Sequence, residues 1–165
     1  MTDAADQPTA GHLIARLVDR GWTVAVAESL TGGMVVSSLV DIPGASAVVR
    51  GGIVAYATPL KSTLLGVDAA LLTRQGAVDP LVAAQMAAGV RFATRIGDQP
   101  TDVGIATTGV AGPAEQDGHA VGTVFVAVET PSASRVVELA LSGSRERIRA
   151  EATAAAVRVA LELLS

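Results

Sequence analysis

Leu13, Ile14, Leu17 and Val18 share one helical face, and Gly21 follows as a stop. The period then changes. Thr23 to Ala27 is a β-branched, apolar run, which predicts a buried strand. Glu28 to Gly33 is a polar, glycine-rich turn. Met34 to Val40 resumes helical character until Pro43 and Gly44 break it. Gly51 to Ala57 predicts a second strand. Thr58-Pro59 then reads as an N-cap with proline at the first helical position, opening a short helix that Gly66 ends. Asp68 begins another helix, which stops at Gly76. Asp79-Pro80 repeats the cap-plus-proline start for a longer helix to about Ile96. Val103 to Thr107 predicts a third strand, and Gly109 to Ala120 an irregular loop. Val121 to Val128 and Arg135 to Leu141 are apolar runs joined by Thr130, Pro131 and Ser132, which predicts a hairpin. Ser144 caps a final helix with Ile148, Ala152, Ala156, Val159 and Leu163 on one face.

Strands alternate with helices first, and a strand pair follows. This order predicts an α/β fold: three layers, α/β/α, around a mixed, mostly parallel sheet of about five strands, one of them antiparallel. Residues 1–10 read as a flexible N-terminal arm and 11–165 as a single domain. Ligands in such sheets sit beyond the carboxyl ends of strands. Here those ends are Ala27 to Gly33, Ala57 to Lys61 and Thr107 to Pro113.

Composition narrows the chemistry. Half of the 165 residues are hydrophobic, enough for one core. The aromatic residues are Trp22, Tyr56, Phe92 and Phe125, so Ala, Val, Leu and Ile must build that core. The net charge of -4 argues against a nucleic-acid binder, which normally carries a basic footprint. The absence of cysteine excludes disulfides, thiolate catalysis and zinc on sulfur. His12 and His119 lie too far apart for metal-ligand spacing, so no metal is expected. The polar, acidic start is not a signal peptide, and no apolar run reaches membrane-spanning length. A cytoplasmic protein without membrane partners is expected.

Four places could carry chemistry. Ser29 follows a buried strand and precedes a helix, where the amides of Gly32 and Gly33 could hold an oxyanion or a phosphate. Taken alone, that segment reads more simply as an ordinary strand-turn-helix with Ser or Thr as an N-cap. Tyr56 ends the second strand. Lys61, the single lysine among twelve Lys and Arg residues, falls in the first turn of the next helix. The helix dipole and burial would both push it toward a neutral amine able to take a proton from Ser29; a solvated surface lysine is the plain alternative. Thr107 to Pro113 could wrap a nucleotide with backbone donors, yet it matches neither a dinucleotide fingerprint nor a P-loop. Arg145 at a helix N-terminus suits a site that receives an anion, or it is an exposed arginine paired with Glu146 or Glu151.

In this order the segments resemble the CinA C-terminal family, known also for nicotinamide-nucleotide amidases. Ala27-Glu28-Ser29-Leu30-Thr31-Gly32-Gly33 is similar to the family's Ala-Glu-Ser-Cys-Thr-Gly-Gly signature. Gly51-Gly52-Ile53-Val54-Ala55-Tyr56 and Lys61 are similar to its Gly-Gly-Val-Val-Ala-Tyr-x4-Lys pattern. Pro43-Gly44-Ala45-Ser46, Thr108 to Pro113 and Val121-Gly122-Thr123-Val124 extend the likeness from about Ala15 to Leu164. The resemblance implies a metal-free, cofactor-free amidohydrolase. Its reaction would be the deamidation of nicotinamide mononucleotide, a small-molecule substrate of pyridine nucleotide metabolism, to nicotinate mononucleotide and ammonia. It implies catalytic roles for Ser29, Tyr56 and Lys61, with Tyr56 orienting Lys61 or relaying its proton. Thr31, Gly32 and Gly33 are expected around the oxyanion, and Thr108, Gly109 and Arg145 at ribose and phosphate. Family precedent favours a homo-oligomer. The chain departs from the pattern at Ala57-Thr58, over 114–120 and at Ser144. Those departures motivate two alternatives: a catalytically weak or silent nucleotide-binding homologue, and a serine-lysine amidase acting on another small amide.

Overall fold

The computed structural model describes residues 9–165. Most of the expected 1–10 arm lies outside them; Thr9 and Ala10 are the N-cap and first residue of helix α1, Ala10–Arg20. Strand β1 is Val24–Glu28, helix α2 is Met34–Val40, and a 3-10 turn at Ala45–Ala47 leads into β2, Val49–Val54. Helices α3 (Thr58–Leu65), α4 (Ala69–Gln75) and α5 (Pro80–Ala93) follow. Then come β3 (Val103–Gly109), β4 (Thr123–Glu129), β5 (Ser134–Ala140) and α6 (Arg145–Leu163).

The five strands form one sheet in the order β2-β1-β3-β4-β5. β1 is parallel to both β2 and β3, whereas β4 runs antiparallel to β3 and to β5. This is the expected three-layer arrangement with one reversed strand. Strand alternation splits the core into two. Val24, Val26, Val103, Ile105, Val124, Val126 and Val128 face α1, α2 and α6. Ala25, Ala27, Ala106 and Ala127 face α3, α4 and α5 together with Phe125. Small side chains on the second face let α5 lie close. A Cβ on Gly104 would come within 2.0 Å of the Ala87 carbonyl oxygen, and one on Gly89 within 1.8 Å of the Leu65 oxygen. Helix α5 is thus held tightly against α3 and the sheet.

Register places the carboxyl ends of three parallel strands side by side. Glu28 pairs with Val54 on one flank and with Thr107 on the other. Whatever follows those residues emerges at one edge of the sheet.

Several boundaries differ from expectation. Val18 is half exposed because it sits at the margin of a narrow face centred on Leu13, Ile14 and Leu17. β2 starts at Val49 and ends at Val54, so Ala55 to Ala57 leave the sheet before Pro59 starts the next helix. The residue capping α3 is Ala57, without a side-chain bond, and Thr58 is already helical. α5 ends at Ala93, where the Thr94 hydroxyl bonds back to the Val90 carbonyl. Among the described residues no helix is long and apolar enough to cross a membrane.

Because its neighbour is backbone, the crowding at Gly89 cannot be relieved by a rotamer change. Gly89→Ala should destabilise the fold by about 2 kcal/mol or more, despite alanine's better helix propensity. Urea unfolding checks this, and unchanged stability would contradict the close packing.

Candidate active site

Ser29 is the first residue after β1, its amide donating to the Thr107 carbonyl at 3.1 Å. Alternation decides where its neighbours point. Val24, Val26 and Glu28 face the α2 side, whereas Ala25, Ala27 and then Ser29 face the α3 side. The buried Glu28 carboxylate accordingly accepts three amides at the start of α2: Gly33 at 3.0 Å, Val35 at 3.1 Å and Val36 at 2.9 Å. It caps a helix whose own N-cap, Gly33, has no side chain. The carboxylate is therefore spent on structure and leaves Ser29 to a different partner.

That partner is Lys61, in the first turn and a half of α3. Its side chain is 0% exposed, and Nζ lies 3.0 Å from Ser29 Oγ. Nζ also donates to the Ala55 carbonyl at 2.7 Å and lies 3.5 Å from the Tyr56 carbonyl. Among the described residues no carboxylate comes within ion-pairing distance of it. Burial pushes its pKa down from 10.5 to about 8, and the more distant Asp117 charge opposes the fall. As a neutral amine, Lys61 can spend its two hydrogens on the two carbonyls and aim its lone pair at the Ser29 hydroxyl. The contact then reverses: Ser29 donates and Lys61 accepts.

Ser29 is 8% exposed and opens into a cleft of about 470 Å³, within the range of small-molecule sites. Leu30, Tyr56, Ala77, Thr108, Gly109 and Arg145 help to line it. The Thr108 hydroxyl donates to the Ala77 carbonyl at 2.7 Å. At Gly109 a Cβ would meet the Thr123 carbonyl oxygen at 2.6 Å, so strand β4 leaves no room for a side chain. Arg145 spans the mouth, donating to the Tyr56 hydroxyl at 2.9 Å and to the Gly112 carbonyl.

The structure thus gathers Ser29, Tyr56, Lys61, Thr108, Gly109 and Arg145 at one edge of the sheet. Two of the expected contacts differ. The Tyr56 hydroxyl meets Arg145, not Lys61, and only the Tyr56 backbone carbonyl approaches the amine. Arg145 pairs across the cleft rather than with Glu146 or Glu151. Thr31 is buried beneath the site, its hydroxyl 2.7 Å from that of Thr107. Gly32 and Gly33 open onto a separate depression beside Ser37 and Asp41. Their amides are already engaged, by the Ser29 carbonyl and by Glu28. The amides of Leu30 and Thr31 donate no hydrogen bond among the described residues, which makes them the free donors beside Ser29.

Sequence reasoning missed Glu28, Asp117 and Arg149. Glu28 was legible from the two-residue period, which turns it toward a helix start lacking a capping side chain. Asp117 accepts the Ala77 amide at 2.9 Å and anchors the loop beyond Pro113 to the cleft wall; nothing local marks it. Arg149 lies one helical turn beyond Arg145 and holds the turn after Ser29. Among the described residues no group of three His, Cys, Asp or Glu side chains is placed to hold a metal.

Comparison with known proteins finds relatives in sequence and in fold. The CinA C-terminal domain model matches residues 6–164. A CinA-like protein of Frankia casuarinae is 45% identical over 161 residues, covering 98% of this chain and 36% of its own length. One from Anaeromyxobacter sp. (strain K) is 47% identical over 141 residues, 85% of this chain and 33% of that protein. The chain spans about a third of the length of these curated relatives. Among solved structures, a competence-damaged protein (CinA) superfamily protein from Enterobacter cloacae superposes with a TM-score of 0.88 at 28% identity. That match covers 97% of this chain and 95% of the other. The corresponding Escherichia coli protein gives 0.85 at 30% identity, over 99% and 94%.

The buried lysine has a thermodynamic signature. The unfolded chain keeps the Lys61 proton up to about pH 10.5, whereas the folded chain releases it near 8. Below about pH 8 both states are protonated and the cost of burying the charge is fully present. Between the two values the unfolded state binds more protons, so stability rises with pH. Compared with Lys61→Met, the wild type should gain about 3 kcal/mol from about pH 7 to about pH 10.5. Parallel denaturation curves for the two proteins would contradict a lowered pKa.

Proposed function

This chain belongs to the CinA C-terminal domain family, and on that premise we propose that it is a serine amidohydrolase that deamidates nicotinamide mononucleotide. The observation that carries the reading is the 3.0 Å contact between Ser29 Oγ and a fully buried Lys61 that has no carboxylate partner among the described residues. Such a pair needs no metal and no third catalytic side chain.

The steps follow from that contact. Neutral Lys61 takes the Ser29 proton as Oγ attacks the carboxamide carbon. The tetrahedral oxyanion is held by the amides of Leu30 and Thr31. Lys61 then returns the proton to the leaving nitrogen, the C–N bond breaks, and ammonia departs. Water attacks the resulting ester with Lys61 again as base, releasing nicotinate mononucleotide and restoring Ser29. Arg145 has guanidinium N–H groups to spare for the substrate phosphate at the mouth of the cleft, and the Tyr56 ring beside it can cover the pyridine or ribose. Thr108 and Gly109 form the wall along which the ribose would lie.

A serine-lysine amidase on a different small amide is the second reading. It is favoured by Glu115, which lines the same cleft as Arg145 and lowers its preference for an anion.

Purified protein should release ammonia from nicotinamide mononucleotide, and Ser29→Ala should abolish it. Lys61→Arg keeps the charge but cannot supply a neutral base, so activity should fall by roughly 10²-fold or more. The catalytically competent form is the unprotonated amine. The rate should therefore rise with pH and level off above about 8. Asp117→Asn removes the charge that opposes the fall in pKa, while its carbonyl can still accept the Ala77 amide; it should move that inflection to lower pH. Folded wild-type protein that binds the nucleotide yet releases no ammonia at any pH would replace the amidase with a silent nucleotide-binding module. A much faster rate on a non-pyridine amide would select the second reading.

A further inference from the structure

Arg149 sits in α6, one turn after Arg145, but reaches in a different direction. Its Nε donates to the Leu30 carbonyl at 2.8 Å and its Nη2 to the Thr31 carbonyl at 3.2 Å. These are the first two carbonyls after the Ser29 residue. The side chain is partly buried, and no carboxylate pairs with it among the described residues. It is not part of the cleft lining. The turn is shaped to receive it. Gly32 adopts φ +59, and a Cβ there would come within 3.3 Å of Arg149 Nη2.

A guanidinium is a rigid planar fork. Gripping two successive carbonyls with it fixes two successive peptide planes. In a trans peptide the N–H points opposite to the C=O of the same plane. Holding the Leu30 oxygen therefore sets the direction of the Thr31 N–H. Holding the Thr31 oxygen sets the Gly32 N–H, which donates to the Ser29 carbonyl at 3.1 Å. Of the two amides so fixed, only that of Thr31 is left without a partner among the described residues. A cation on the carbonyl also polarises the peptide and strengthens its N–H as a donor.

We infer that Arg149 is a positioning residue: it grips the peptides after Ser29 from behind and presents the Thr31 N–H as an oxyanion donor. It touches no substrate and moves no proton. The inference rests on the reading of Ser29 as the nucleophile. It goes beyond that reading by assigning the preorganisation of the oxyanion site to a side chain outside the cleft. The competing account makes Arg149 a tie between α6 and the sheet, with no effect on reactivity beyond folding.

A fluorophosphonate separates the two. Ser29 Oγ attacks phosphorus, Lys61 takes the proton, an Oγ–P bond forms, the P–F bond breaks, and fluoride leaves. The phosphoryl oxygen gains negative charge where an amide's oxyanion would. The full chain, Ser29→Ala, Arg149→Ala and Arg149→Lys are compared for the second-order labelling rate at Ser29, with melting temperature measured alongside. Arg149→Ala should label roughly 10²-fold more slowly, the size of effect seen when one oxyanion donor is lost. The pH at which labelling accelerates should stay unchanged, because the Ser29–Lys61 contact is intact. Millimolar guanidinium should restore part of the rate, and equal sodium chloride should not. Arg149→Lys keeps charge and stem but cannot fork two carbonyls. It should still be at least about 10-fold slow, and it carries the test if the alanine variant does not fold. Wild-type labelling rates in a folded Arg149 variant would overturn the inference and leave Ser29 as nucleophile. Absence of Ser29 labelling in the wild type would overturn both.

Discussion

An ammonium group buried without a counter-ion is the constraint on which the rest of this structure turns. Removing such a charge from water is costly, and a protein answers either by supplying a carboxylate or by letting the group lose its proton. Lys61 is enclosed by Ser29, the Ala55 and Tyr56 carbonyls and the alanine-rich face of the sheet, with no ion-pairing carboxylate among the described residues. The fold leans toward the second course: burial brings the proton's release down to about pH 8. A lysine so placed is a base near neutral pH, and the hydroxyl at 3.0 Å is the group it can act on.

The two-residue period of β1 does much to make this possible. Glu28 and Ser29 are adjacent, yet a strand sends them to opposite faces. Had Glu28 faced α3, it would have paired with Lys61 and held it protonated. Instead its carboxylate accepts three amides at the start of α2. The same parity puts valines on the α2 and α6 side and alanines on the α5 side. The latter choice lets α5 lie close against α3 and the sheet, on the face where Ser29 emerges. Packing and chemistry thus follow from one alternation.

Most of the secondary structure could be read from periodicity and punctuation, because Gly21, Gly66, Gly76 and the two cap-plus-proline pairs mark helix ends by local sterics. What could not be read depends on contacts between distant segments. The early end of β2 arises where the chain must leave the sheet to bring Lys61 back over Ser29. The Tyr56–Arg145 bond joins residues 89 positions apart, so sequence alone aimed the tyrosine at its nearer neighbour. The amides of Gly32 and Gly33, expected around the oxyanion with Thr31, are occupied for a related reason. Glycines advertise accessible amides, but at Gly32 and Gly33 those amides are consumed within the turn and by Glu28. At Gly32 the service is steric, leaving room for Arg149 to approach the backbone.

Lys61 is the chain's single lysine, which permits a direct reading of its charge. Protein carrying a carbon-13 label at the lysine ε position gives one side-chain NMR signal, and its chemical shift can be followed with pH. A midpoint near 8 is expected for the folded protein. A midpoint at the ordinary lysine value of about 10.4 would mean that burial does not loosen the proton at all, and the serine would then have no base.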